Sequence, residues 1–309
     1  MSRRLQTVIL LAGLVGIAFA VSRTVDTAQD QVLPSAPAWM VAGVLTLVAI
    51  VASARAWVAL FSDLLDARAS RAAVRGTFYL AQLTKYLPVG GFAQAASQLG
   101  LAPTVGIPLK RAAVAFPVSA VCAVVACTTL ASGLALDTGL ADWIRILALC
   151  GLLTPILLRR TLMAPVLDLA RRFIRRIPGS DQLPTQRDII VFYAWALVTI
   201  ASLCGGYAIL LGSLHTGANP GTVFCAFAFS WAVGFVALPI PAGVGVREAV
   251  LVGLLPGVGT AQLLAASLAL RLLTIGTEVL ATVGNKVAVR RYVVPPAPQA
   301  AQAPPVTTS

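Results

Sequence analysis

Eleven positions in this chain place charge, amide or an unusually free backbone inside stretches that are otherwise apolar: Lys85, Gly90, Gly91, Gln94, Gln98, Gly243, Gly245, Arg247, Glu248, Arg271 and Glu278. The first group surrounds Lys85-Tyr-Leu-Pro-Val-Gly-Gly91. Proline removes a backbone donor and paired glycines release the chain from helical dihedrals, so this stretch interrupts a helix. A new helix starting at Phe92 would aim its free N–H groups back at the turn, and Lys85 would add a full positive charge. Gln94 and Gln98, four residues apart, would share one face of that helix. Together these groups suit a phosphate or carboxylate, such as the headgroup of a phospholipid. The plainer reading is a structural loop whose lysine reaches back to the membrane interface.

The second group follows Leu238-Pro-Ile-Pro-Ala-Gly-Val-Gly245, which breaks another helix and leaves Arg247 and Glu248 at the start of a short one. Adjacent helical residues do not face each other, so each of these charges needs a partner elsewhere. Arg271 and Glu278, seven residues apart, lie two turns along one face of the last apolar segment. Charge in hydrocarbon is costly enough to require a partner or water. Two pairs are therefore expected, Arg271 with Glu248 and Arg247 with Glu278. Such pairs serve equally well as a buried clamp between helices or as part of a transport site.

Other residues offer less. Arg55, in Ser53-Ala-Arg-Ala-Trp57, is read as snorkelling to the cytoplasmic end of its span. His215 is the only histidine and stands in a short loop without clustered acids. The five cysteines fall in apolar segments without metal-ligand spacing. With no Ser-His-Asp set and no nucleotide-binding glycine loop, the chain is expected to be no enzyme and to need no cofactor or metal.

The elements that must position these residues follow from composition. With 309 residues, 58% of them hydrophobic and 11% charged, and a mean hydropathy of +0.88, the chain has too little polar surface to cover a soluble globule. The expected class is all-α, a polytopic helical membrane protein whose broken backbone is tolerated only where protein or water surrounds it. Apolar runs at Leu5–Val21, Ala38–Phe61, Ala112–Leu136, Ala141–Leu158, Ile189–Leu214, Gly221–Ile240 and Ala261–Val289 supply seven full spans. Two broken stretches, Thr77–Leu99 and Pro241–Pro256, lie among them. Arg3 and Arg4 before the first run resemble a signal peptide, but no clean cleavage site follows, so this run is read as an uncleaved span. Residues 1–291 form the membrane domain, and the Pro-rich tail 292–309 is expected to be disordered.

The net charge of +12 reflects topology and not a nucleic-acid partner. With the N-terminus in the cytoplasm, 17 of the 23 Lys and Arg residues fall on the inner side, as the positive-inside bias requires. Seven crossings would leave Lys286, Arg290 and Arg291 outside, so one broken stretch is expected to cross, making eight. Pro241–Pro256, the more apolar, takes that role, and the first stretch re-enters from the cytoplasm. Both termini are then cytoplasmic, in a multi-pass cell-membrane protein. In the inner loop Arg159–Asp188, Met163, Val166, Leu167, Ala170, Phe173, Ile174 and Ile177 recur at helical spacing opposite Arg171, Arg172, Arg175 and Arg176. This predicts an interfacial helix lying on anionic lipid. Leu87-Pro-Val-Gly-Gly and Leu238-Pro-Ile-Pro-Ala-Gly occupy comparable places in two halves, a weak two-fold repeat of the kind that builds substrate sites at the bilayer midplane.

These motifs carry a family resemblance. Tyr79-x5-Lys85-Tyr-Leu-Pro-Val-Gly-Gly91 followed by Gln94, Pro241-Ala-Gly-Val-Gly-Val-Arg-Glu-Ala249, and Arg271-Leu-Leu-Thr274 with Glu278 resemble the flippase-like integral membrane proteins that share the lysylphosphatidylglycerol synthase transmembrane region. The likeness runs from about residue 5 to residue 291. It implies a domain that moves a lipid across the bilayer; in bifunctional relatives that lipid is lysyl-phosphatidylglycerol, made by an attached cytoplasmic aminoacyltransferase domain. This chain has only a short Pro-rich tail after Tyr292 and is expected to be a stand-alone member, so the resemblance does not name its lipid. The expected partners are membrane lipids with an anionic or zwitterionic headgroup. Lys85, Arg247 and the Gly90-Gly91 helix start would meet phosphate, and Glu248 and Glu278 would balance charge or accept a cationic group. The alternative is a non-transporting scaffold or accessory subunit for an envelope lipid-modifying enzyme or glycosyltransferase, engaged through the arginine-rich inner loop.

Overall fold

The computed structural model describes residues 33–65, 68–87, 90–132, 164, 180–236 and 245–292, and every regular element among them is helical. In chain order these are α1 (Ala36–Ala59), α2 (Arg68–Gln82) running into a 3₁₀ turn (Leu83–Tyr86), α3 (Gly90–Leu101), α4 (Leu109–Ala131), α5 (Gln186–Gly212), α6 (Pro220–Val236), α7 (Val246–Leu254) and α8 (Thr260–Tyr292). Four of them, α1, α4, α5 and the Thr260–Lys286 part of α8, are long and apolar enough to cross a membrane. α6 is apolar but has only 17 residues. The runs expected at Leu5–Val21 and Ala141–Leu158, most of the amphipathic stretch (165–179) and the tail beyond Tyr292 lie outside the described residues.

Small residues let the long helices approach closely. α1 buries Ala38, Ala42, Thr46, Ala49 and Ala52, mainly against α5. A Cβ at Gly206 of α5 would meet Leu270 Cδ1 at 3.3 Å and the Ala42 carbonyl oxygen at 3.7 Å. The absence of a side chain there is what brings α5 against α1 and α8 together, as in other membrane bundles. The opposite stripe of α1, Met40, Val41, Val44, Leu47 and Val48, faces outward, with Met40 67% exposed. An outward stripe this apolar is suited to lipid.

Polar contacts secure the end of the bundle where α1 finishes and α4 and α5 begin. Thr185 and Asp188 form a reciprocal capping box at the start of α5, with each side chain accepting the other residue's backbone N–H at 3.2 Å. Arg111, in the first turn of α4, is buried. Its Nη1 donates to the carbonyls of Leu183 (2.7 Å) and Gln182 (3.1 Å), and its Nη2 donates to Asp63 Oδ2 at 2.7 Å. One guanidinium fork thereby holds together the turn after α1, the start of α4 and the approach to α5.

The apolar interior forms two clusters. One joins α1 up to Ala49 with the later half of α5 and with α6, α7 and α8; the other joins α1 from Ile50 onward with α2, α4 and the first half of α5. Ala49 and Ile50, consecutive residues from the two clusters, both line a cavity that opens where the clusters meet.

Candidate functional site

The cavity has a volume of about 250 Å³, and each of the eight described helices contributes to its wall. Eight of the eleven expected positions line it: Lys85, Gly91, Gln94, Gln98, Arg247, Glu248, Arg271 and Glu278. Residues some 190 positions apart in sequence, such as Lys85 and Glu278, are thus brought to one place. The three others do not line it among the described residues. Gly90 is the first residue of α3, so the helix starts two residues before the expected Phe92, and Gly90 and Gly91 form its first turn. Gly245 turns the chain into α7 with φ +85°, a conformation that favours glycine. Gly243 lies outside the described residues.

α8 is the spine of the site. Glu278, 1% exposed, pairs with the Lys85 ammonium, whose side chain is 19% exposed, and accepts from the Tyr86 hydroxyl at 3.0 Å. Gln82 Oε1 lies 3.5 Å from the same ammonium. Two turns earlier on α8, Arg271 Nη2 donates to Glu248 Oε1 at 2.8 Å. The second oxygen of Glu248 accepts the Gly245 N–H at 2.8 Å, so this carboxylate caps α7 while it holds Arg271. That contact also occupies the Gly245 amide. Each broken stretch is therefore fastened to α8 by one ion pair, and Lys85 turns inward instead of reaching to the interface.

The pair of Arg271 with Glu248 is as expected from the sequence, but the pair of Arg247 with Glu278 does not form. Lys85 and Tyr86 already occupy the Glu278 carboxylate. Arg247 instead passes Gly234 of α6 and lies over Trp231, with Cζ 3.8 Å from the ring centroid. A Cβ at Gly234 would stand 2.7 Å from Arg247 Cγ and Nε, so this path exists only beside a glycine. The Arg247 Nε is buried without a hydrogen-bond partner. Stacking on an aromatic face gives the cation some compensation but no counter-charge.

Charge around the cavity follows directly. Lys85 with Glu278 and Arg271 with Glu248 are two neutral pairs, and Arg247 leaves the described wall with a net positive charge. Gln98, 6% exposed, adds a buried side-chain Oε1 without a partner. The rest of the wall is largely aromatic and aliphatic, including Trp57, Phe78, Phe116 and Phe192. Tyr86 stood in the quoted motif next to Lys85 and was legible there as a neighbour of the site. Trp231 and Gly234 carried no such signal, because both read as ordinary members of an apolar span. Arg55 is exposed, and its partner is Trp195 on α5, whose ring centroid lies 5.1 Å from Arg55 Cζ, not the neighbouring Trp57.

The chain matches no protein-family model and no curated protein.

Proposed function

We propose that the chain is a lipid flippase-like transporter of the cell membrane, a stand-alone member of the family its motifs resemble, and that the central cavity receives the lipid headgroup. The observation that carries this reading is Arg247, a half-buried cation whose Nε is buried without a hydrogen-bond partner, facing a cavity whose other described ionic groups are already paired. An unmatched cation in surroundings of low dielectric attracts an anion more strongly than the same cation in water. The phosphate of a phospholipid supplies that anion, and the start of α3 at Gly91, the member of the glycine pair that lines the cavity, contributes free N–H groups to it. Gln94 and Gln98 then contact the polar remainder of the headgroup. A cavity of about 250 Å³ is smaller than the 300–1,000 Å³ typical of drug-sized sites. It suits a headgroup whose acyl chains stay in the bilayer.

In this reading the two ion pairs on α8 are the elements that rearrange. A headgroup bearing an amine would compete with Lys85 for Glu278, and a phosphate would compete with Glu248 for Arg271, so its passage loosens both broken stretches from the spine. Seven or eight crossings, a first stretch that re-enters from the cytoplasm and cytoplasmic termini complete the proposal. The cavity lining on α8, from Ser267 to Glu278, falls in the middle of the Thr260–Lys286 span, where transporters with broken helices hold their substrates.

The test uses the purified full chain in liposomes containing acyl-labelled phosphatidylglycerol or phosphatidylethanolamine, whose headgroups are intact. Movement between leaflets is followed by access of a membrane-impermeant quencher. Arg247→Ala is expected to slow movement roughly tenfold or more, the equivalent of one lost charge-assisted hydrogen bond, and Lys85→Ala and Glu248→Ala are expected to slow it as well. No movement by the wild-type protein, or unchanged movement in all three variants, refutes the proposal.

A further inference from the structure

A second group of cations takes no part in the central cavity. Arg55 of α1 and Arg71 and Arg75 of α2 line one open cleft of about 390 Å³, alongside Ser62 and Trp195. Arg71 and Arg75 are four residues apart, so they project from one face of α2, where like charges repel. None of the described residues lining the cleft is acidic. Among the described residues, the carboxylates on adjoining segments are already engaged: Asp188 accepts from Ser62 Oγ at 2.5 Å and from Thr185 Oγ1 at 2.7 Å, and Asp63 holds Arg111.

Arg55 and Arg71 are exposed and Arg75 is half-buried, yet all three border the same cleft and each meets a feature of the fold beside it. The Arg55 guanidinium stands 5.1 Å from the centroid of the Trp195 ring. Arg71 Nε donates to the Leu65 carbonyl at 3.3 Å, and Arg75 Nε is buried without a hydrogen-bond partner. An aromatic ring, a carbonyl and burial thus keep three like charges around one cleft. The Ser62 hydroxyl is turned to Asp188, which leaves the arginines as the donors.

We propose that this cleft is a phosphate-binding site, distinct from the central cavity, in which Arg55, Arg71 and Arg75 receive a phosphoryl group. Planar guanidinium forks match the oxygens of a phosphate, and a group carrying up to two negative charges offsets three cations better than a single carboxylate does. Inorganic phosphate and the phosphate of an anionic lipid headgroup share this chemistry.

The purified full chain tests the proposal in two settings. In detergent, inorganic phosphate is titrated at constant ionic strength with chloride as the balancing anion, and Trp195 fluorescence is obtained by difference from Trp195→Phe. In nanodiscs, the same signal is compared between pure phosphatidylcholine and a mixture with phosphatidylglycerol. A saturable response to phosphate supports a soluble ligand, and a response to phosphatidylglycerol alone supports a lipid headgroup. In either case Arg75→Gln and Arg71→Gln should each weaken the apparent affinity roughly tenfold. Lys286→Gln, which removes an equal charge from a residue that does not line the cleft, should leave it unchanged. Absence of a response in both settings, or an equal loss in Lys286→Gln, overturns the site. So does unchanged affinity in both arginine variants, with thermal unfolding showing that each is folded.

Discussion

Removing Lys85 should destabilise the protein more than removing its partner Glu278, although both changes break the same ion pair. The reason lies in their surroundings. Glu278 is 1% exposed and the Lys85 side chain 19%. Lys85→Met leaves a carboxylate in a dry setting with only the Tyr86 hydroxyl, 3.0 Å away, to compensate it. Stranding a buried charge costs about 3–5 kcal/mol. Glu278→Gln leaves the ammonium at the cavity edge, where water and Gln82 Oε1 at 3.5 Å reach it. The expected loss is smaller, about 1–3 kcal/mol, the range for an unsatisfied polar group. The double variant removes both charges and should be less destabilised than the sum of the single changes, by at least about 1 kcal/mol, as residues in direct contact show. Equilibrium unfolding in mixed micelles, followed by tryptophan fluorescence, measures all three. The reasoning fails if Glu278→Gln costs as much as Lys85→Met, or if the two effects simply add.

Other changes separate the site from its scaffold. Gly234→Ala places a Cβ 2.7 Å from Arg247 Cγ and Nε and should lift the guanidinium from Trp231; lipid movement should fall as far as in Arg247→Ala, while unfolding shows a loss of about 1–3 kcal/mol, the usual range for overpacking. Arg111→Ala strands two carbonyls and Asp63 and should cost about 2–3 kcal/mol in the same assay, with Arg111→Lys recovering only part because one ammonium does not reproduce a planar fork. Thr185→Ala removes half of the capping box on α5 and should cost about 1 kcal/mol, seen as faster amide hydrogen exchange in the first turn of that helix.

Much of the helical frame was legible because hydrocarbon leaves few options. An apolar run of about 20 residues must satisfy its own backbone as a helix. The runs read at Ala38–Phe61, Ile189–Leu214 and Ala261–Val289 accordingly meet α1, α5 and α8 with small shifts at their ends. The first break was legible for a different reason, since proline removes a backbone donor, and the chain leaves helical geometry at Leu87, just before Pro88. The start of α3 differed by two residues because Gly90 and Gly91 adopt helical geometry themselves instead of remaining in the turn. The role of Arg111 was not legible, because an arginine next to Lys110 at the start of an apolar run shows nothing of the carbonyls that surround it after folding.

Sequence by itself determined which residues have no place in lipid, and it put Arg271 and Glu278 on one face of the last span, because helical spacing is a local property. Tertiary structure decided who pairs with whom. Glu278 could meet either Lys85 or Arg247, and the outcome turns on Gly234, whose missing side chain opens a path along α6 to Trp231 and draws Arg247 away from the carboxylate. Pairing between distant segments depends on packing clearances of a few tenths of an ångström, and no periodicity in a single chain records those clearances.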